Sequence, residues 1–227
     1  SGTRTSGRFA ADTLLSGLKN LDRNADADEA FEHLSATLAK AIRKEHGQIT
    51  DIPLPAAEAA IYSRKKREIW RVGTISVIVD GMPYPGNKPI DEITSRARAA
   101  YTKALLRSGR HPDEIQAEDP GRKMILPLLG LQNQFANDPH SEFAFPLFNG
   151  DPIPEDLREI VPVSKGSEIV LASDGYPRAA PSLEASELIL EERLRVDPMM
   201  IDPPAQTKGR GLRDISFDDR AYLRFEA

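Results

Sequence analysis

Apolar positions recur along this chain in two rhythms. Between residues 8 and 18, Ala11, Leu14, Leu15 and Leu18 fall at the i, i+3, i+4, i+7 spacing that predicts an amphipathic helix. A second helix is expected over residues 26–46. Phe31, Leu34, Leu38, Ala41 and Ile42 share its apolar face, Asp26 or Asp28 can cap its start, and Gly47 ends it. After Pro53 and Pro55 the rhythm shortens. Residues 56–63, 68–72 and 75–79 predict three strands, increasingly rich in β-branched and aromatic side chains. The basic run Arg64-Lys65-Lys66-Arg67 falls at the first turn and Gly73-Thr74 at the second.

Residues 81–89 (GMPYPGNKP) are a loop by their glycine, proline and asparagine content. Ile93, Ala97, Ala100, Ala104 and Leu105 mark the next helix, closed by Gly109. Over residues 124–135 Pro127 interrupts an otherwise helical run. Strands are expected at 143–148, 158–163 and 168–173, with an Asn149-Gly150 turn after the first. A helix over 182–196 follows (Leu183, Leu190, Leu194), then a loop over 197–213 and a last strand over 220–225. This order lacks strict strand–helix–strand alternation. It predicts an α+β fold, with antiparallel sheet and helices in separate layers.

Composition narrows the classes. The 227 residues, 40% hydrophobic, suffice for a substantial core in one large domain or two small ones. A net charge of -5 spread along the chain gives no footprint for nucleic acid or an anionic membrane, and 6% aromatics offers little to stack bases on. The absence of cysteine excludes disulfides, thiolate metal sites and a cysteine nucleophile, the cysteine-dependent phosphatase mechanism included. No apolar run approaches the roughly 18 residues of a membrane span, and no signal-peptide core opens the chain. A cytoplasmic protein is the expectation, with its oligomeric state open.

Two acidic clusters sit at strand boundaries. The run Ile169-Val170-Leu171-Ala172 stops at Ser173-Asp174-Gly175, and Asp218-Asp219 precede the last strand. In an antiparallel pair the end of one strand lies beside the start of the other, which would bring Asp174 to Asp218. Gly175 would let the backbone turn and present a carbonyl oxygen beside the carboxylate. Oxygen ligands without Cys or His suit Mg2+ or Mn2+, and two such ions can activate a water for attack on phosphorus. Against this, Ser-Asp-Gly is a common turn, and Asp-Asp before a strand is commonly a solvated turn or a cap.

The stretch EIVLASDGYP (168–177), followed by a helix, a loop and SFDDRAYLRF (216–225), resembles the C-terminal half of the PPM (type 2C) metal-dependent serine/threonine phosphatases. In that family a buried strand ends in Ser-Asp-Gly, and Asp-Asp or Asp-Asn opens the final strand. Two further segments resemble the family more loosely. REIWRVGTISVIVDG (67–81) is similar to its Val-Gly-Asp-Ser-Arg hairpin, and SGTRTSGRFAADTLL (1–15) to the turn and first helix after its N-terminal Asp-Gly. The resemblance implies a single domain over 1–227, an antiparallel β-sandwich flanked by layers of helices. It implies Asp174 and Asp218 as ligands of Mg2+ or Mn2+, Gly175 as the tight turn behind Asp174, and Asp219 as a further metal candidate. It places the family's upstream acidic residue, its bridging Asp-Gly and its phosphate-binding arginine ahead of Ser1.

The chain also departs from the pattern. Thr74 stands where the family usually has aspartate. The family's histidine beside Asp-Gly is matched by Thr3 or Arg4, while His33, His46, His111 and His140 lie elsewhere. The four histidines lack metal-ligand spacing and read as structural or surface groups. Arg64–Arg67 reads as a solvated turn in preference to a phosphate site. Residues 131–140 read as a helix end and loop or as a substrate flap. Lys208 with Gly209-Arg210-Gly211 reads as a mobile connector in preference to a phosphate loop. Two functions follow. The first is a Mg2+/Mn2+-dependent phosphatase acting on phosphoserine, phosphothreonine or another phosphomonoester, with a phosphoprotein or small phosphoester as partner. The second is a phosphatase-like binding or regulatory module with a degraded metal centre.

Overall fold

A computed structural model describes residues 5–46 and 55–227. Gly47 and Pro53, expected at the end of the second helix and the break after it, lie outside the described residues, as do Thr3 and Arg4 and the His46 side chain. The chain divides into two compact units. One is built from Ser1–Ile75, Phe135–Ser167 and Ala227, the other from Ser76–Gln134 and Glu168–Glu226.

In the first unit both predicted N-terminal helices form. Helix α1 (Ser6–Lys19) is capped by the Thr5 hydroxyl, which accepts from the Arg8 N–H at 3.4 Å. Helix α2 (Ala27–His46) opens with a reciprocal cap: the Asp26 carboxylate accepts from the Glu29 N–H, and Glu29 accepts from the Asp26 N–H, each at 3.0 Å. Leu14 and Ala10 meet Phe31, Leu34 and Leu38 in a core shared with Trp70, Val72 and Phe148. Strands β1 (Ala59–Ser63), β2 (Glu68–Val72) and β5 (Glu159–Pro162) form an antiparallel sheet in the order β1-β2-β5. Arg71, 1% exposed, is tolerated inside because Glu159 grips its guanidinium with both oxygens and the Ile75 carbonyl accepts a further bond at 2.9 Å.

The expected strand over 143–148 does not form. Ala136 and Ala57 make single bridges to Phe145 and Phe148, and the Asn137 side chain takes the place of a strand neighbour. Its amide donates to the Leu147 carbonyl (2.8 Å) and accepts from the Leu147 N–H (3.0 Å). Pro146, lacking an N–H, suits this arrangement better than a ladder. The apolar signal was burial: Phe145, Leu147 and Phe148 are core residues of a loop.

The second unit holds an antiparallel sheet in the order β4-β3-β6-β7, from β3 (Ser76–Val79), β4 (Met82–Tyr84), β6 (Glu168–Ala172) and β7 (Tyr222–Glu226). Residues 81–89 are thus only partly loop. Asp80 and Gly81, both at positive φ (49° and 78°), make a tight hairpin turn, and Pro83 is accepted because β4 is an edge strand. β2 and β3 belong to different sheets, so Gly73-Thr74 joins two sheets and is not a hairpin turn.

Helices α3 (Pro89–Arg107), α4 (Pro112–Glu118), α5 (Pro120–Leu131) and α6 (Leu183–Val196) complete this unit. Pro127 lies within α5 without ending it. Of the face expected on α3, only Leu105 packs against a core cluster. Ile93, Ala97, Ala100 and Ala104 are exposed, while Ile90, Thr94, Arg98 and Thr102 turn inward. The reason is Arg98, 2% exposed, whose fork grips Asp119 (2.7–3.2 Å) and whose other nitrogen donates to the Met199 and Gln206 carbonyls at 2.9 and 3.2 Å. Among the described residues no helix is long and apolar enough to cross a membrane.

Candidate metal centre

Register decides what meets at one end of the β4-β3-β6-β7 sheet. Ala172, ending β6, pairs with Ser76 at the start of β3 and with Tyr222 at the start of β7, and Val77 pairs with Tyr84 at the end of β4. The chain leaving β4, the chain leaving β6 and the chain entering β7 therefore share that end. These carry Asp91, Asp174 and Asp218 respectively.

Beyond Ala172 the pairing continues for one residue. The Ser173 N–H donates to the Ala221 carbonyl (3.0 Å), and the Ser173 hydroxyl accepts from the Ala221 N–H (2.9 Å). Gly175 then passes so close to the neighbouring segment that a Cβ there would lie 2.1 Å from the Asp219 carbonyl oxygen. The glycine is required by this approach and not by a positive φ, since it is not among the residues in that region. Tyr176 anchors the next position. Its hydroxyl bonds Glu187, whose carboxylate also takes a two-pronged bond from Arg220 (2.8 and 2.7 Å). That guanidinium first, and the tyrosine hydroxyl second, hold the Glu187 carboxyl below the ordinary carboxylate range.

Asp174 is exposed to solvent and makes no hydrogen bond among the described residues. Enough protein surrounds it that lost hydration, first, then Asp218 and Asp91, raise its carboxyl above the ordinary 3.8, with Lys208 and Lys88 opposing them. Asp218 is thus near enough to act electrostatically on Asp174. The Asp218 Oδ1 accepts from the Asp219 N–H (2.8 Å) and lies 2.5 Å from the Lys208 ammonium. Asp219 itself is exposed and contributes this backbone donor. Asp91 sits in the first turn of α3, paired with Lys88 at 3.2 Å. Beside the cluster lies an open groove of about 850 Å³, lined by Lys208, Arg213, Asp218, Arg220, Tyr176 and Leu183 among others.

Asp91, Lys88 and the pairing of Lys208 with Asp218 escaped the sequence reading. The signal for Asp91 was the Pro83 hairpin, read as loop: once β4 is a strand, residues 85–91 must return to the end where β6 finishes. The remaining candidates fall elsewhere. Thr74 donates both its N–H and its hydroxyl to Glu58, at 2.7 Å each. His33 bonds the Gly17 carbonyl at 3.1 Å, His111 caps α4, and His140 is exposed. Residues 64–67 form an exposed turn, with Lys65 on the Asn24 side chain. The segment at Gly209–Gly211 is pinned and not a loose connector: the Gly209 N–H donates to Asp119 (3.3 Å) and the Arg210 N–H to the Pro198 carbonyl (2.9 Å).

In donor chemistry the site suits a hard divalent cation. Asp174 makes no hydrogen bond among the described residues, Asp218 keeps one oxygen without one there, and neither Cys nor His intrudes. Asp174 and Asp218 would hold the ion. Among the described residues no group of three or more His, Cys, Asp or Glu is arranged to hold a metal ion.

The solved structures that this chain matches include serine/threonine phosphatases. One is MsPP from Mycobacterium smegmatis, in complex with cacodylate (14% identity, 88% of this chain and 69% of that one, TM-score 0.37). Another is the serine/threonine phosphatase PstP from Mycobacterium tuberculosis (15% identity, 84% and 71%, TM-score 0.40). A third is PppA, a regulatory component of T6SS in Pseudomonas aeruginosa (11% identity, 100% and 83%, TM-score 0.42). No family model and no curated protein matches the chain. The chemistry of the site rests on its own residues.

Proposed function

We propose that the chain carries part of a Mg2+- or Mn2+-dependent phosphatase centre of the PPM type. Its substrates are phosphoserine or phosphothreonine in a phosphoprotein, or a related small phosphomonoester, and its compartment is the cytoplasm. One observation carries the reading: Asp174, which makes no hydrogen bond among the described residues, stands where two adjacent strands end and begin, its carboxyl raised by lost hydration first and by Asp218 second. A cation beside two neighbouring carboxylates would offset their repulsion. Asp174 and Asp218 are the ligands, and Gly175 lets their backbones approach. The Asp219 N–H fixes the Asp218 rotamer, and its exposed carboxylate is a further candidate ligand. A bound ion would supply a water acidified enough to attack phosphorus at neutral pH.

The test is Mn2+-dependent hydrolysis of p-nitrophenyl phosphate by the full-length protein and by Asp174→Asn. Turnover that needs Mn2+ and collapses in the variant is expected; turnover indifferent to Asp174→Asn refutes the assignment. The second reading, a phosphatase-like binding module, is favoured by Lys208 on Asp218 and by Thr74 committed to Glu58. Absence of both turnover and Mn2+ binding would select it.

A further inference from the structure

We propose that Lys208 is a tethered cation that occupies Asp218 until a divalent metal displaces it, so that it sets the metal affinity of the centre. The proposal rests on Asp174 and Asp218 being metal ligands.

The backbone around Lys208 is held from several sides. The Gly209 N–H donates to Asp119, the Arg210 N–H to the Pro198 carbonyl, and the Arg210 carbonyl accepts from Gln116 at 2.9 Å. A Cβ at Gly209 would lie 2.8 Å from the Met199 carbonyl oxygen, so this segment lies flat against its neighbours. From that anchored backbone the Lys208 side chain delivers its ammonium to within 2.5 Å of the Asp218 Oδ1, the oxygen that the Asp219 N–H already uses. Lys208 also acts electrostatically on Asp174. One ammonium thus offsets part of the negative charge of the two carboxylates that would share the ion.

A dication between Asp174 and Asp218 would lie within a few ångströms of that ammonium, where like charges repel strongly even in a partly solvated setting. Metal binding therefore requires Lys208 to leave. It has somewhere to go: it lines the groove beside the site, and its side chain is 32% exposed. Lys88, paired with Asp91, acts on Asp174 less than Lys208 does, so Lys208 is the main cation of the Asp174–Asp218 pair.

The experiment measures Mn2+ affinity of the full-length protein by calorimetry, with Mn2+ electron paramagnetic resonance as a second readout. Lys208→Met is expected to bind Mn2+ about tenfold more tightly than the wild type, as a competing unit charge is removed. Lys208→Arg, which keeps the charge, should stay within about twofold of the wild type. A circular dichroism melt confirms that each variant is folded. Equal affinity in wild type and Lys208→Met, or weaker binding in the variant, overturns the role of Lys208 and leaves the metal centre standing. No Mn2+ binding by any of the three proteins overturns both.

Discussion

Arg96 and Arg98 stand two positions apart on α3 and face opposite environments, which makes them a controlled pair. Arg96 is 78% exposed and meets a Glu92 that is 73% exposed, at 3.4 Å. Arg98 is buried, and its fork grips Asp119 while its remaining nitrogen ties down the carbonyls of Met199 and Gln206. Arg98→Met keeps the apolar stem and removes the charge. Asp119 would then be left with the Arg122 and Gly209 N–H groups as donors and no cation. Breaking one side of a buried ion pair costs about 3–5 kcal/mol. The Asp119 side chain is 23% exposed and regains some hydration, which lowers the expected loss to about 2–4 kcal/mol. Arg96→Met should cost under about 0.5 kcal/mol. Urea unfolding followed by circular dichroism gives both numbers. Amide hydrogen exchange should show lost protection over residues 197–211 in Arg98→Met alone. A loss below about 1 kcal/mol for Arg98→Met, or equal losses for the two variants, would refute the view that this ion pair holds the loop carrying Lys208.

Gly175→Ala sets a Cβ against a carbonyl oxygen that cannot swing away, so a loss of about 2–3 kcal/mol is expected in thermal or urea unfolding. Gly7→Ala, with open space around its Cβ, should cost nothing, and similar behaviour of the two would sink the argument. Asp174→Asn removes a group whose folded carboxyl lies above its ordinary 3.8. Since the folded chain binds that proton more tightly than the unfolded chain, the group's penalty is full above the raised value. It fades as pH falls through that value toward 3.8. Without metal, the variant should therefore melt higher than the wild type near pH 7, and the gap should close toward about pH 4. A gap that widens on acidification contradicts the assignment. Saturating Mn2+, at about 100 times its Kd, should stabilise the wild type by about 2.7 kcal/mol and leave Asp174→Asn unmoved in a thermal shift assay.

Wherever periodicity and burial had the same cause, the sequence was a good guide. Phe31, Leu34, Leu38 and Ile42 are repeated at helical spacing because one face of α2 is covered, and all four are core. It misled where a polar group took over an apolar job. On α3 the small residues Ala97, Ala100 and Ala104 look like a core stripe, but the buried stripe contains Arg98, whose partner Asp119 lies outside any local window. At 143–148 buried phenylalanines imitate a strand, while the backbone partner is the side chain of Asn137. The site was half legible. Asp174 and Asp218 follow from the pairing of two consecutive strands in the sheet, a nearest-neighbour inference. Asp91 needed the position of β4, and Lys208 needed the path of an irregular loop, neither of which has a periodic signature.

The division into two units has a consequence for how the chain acquires its shape during synthesis. Neither unit is a continuous stretch of sequence. β2 finds β1 at once through a short turn, but its other edge stays open until β5 has been made. β3 and β4 likewise form a hairpin early and then wait for β6, and β6 in turn for β7. Open strand edges of this kind invite pairing with other nascent chains, and connections over such distances slow folding. Ribosome-bound chains stopped after β4 should therefore remain open to protease, and the second unit should gain resistance only once β7 has left the exit tunnel. Asp174 and Asp218, carried by the last two strands to pair, would come together at the close of that process.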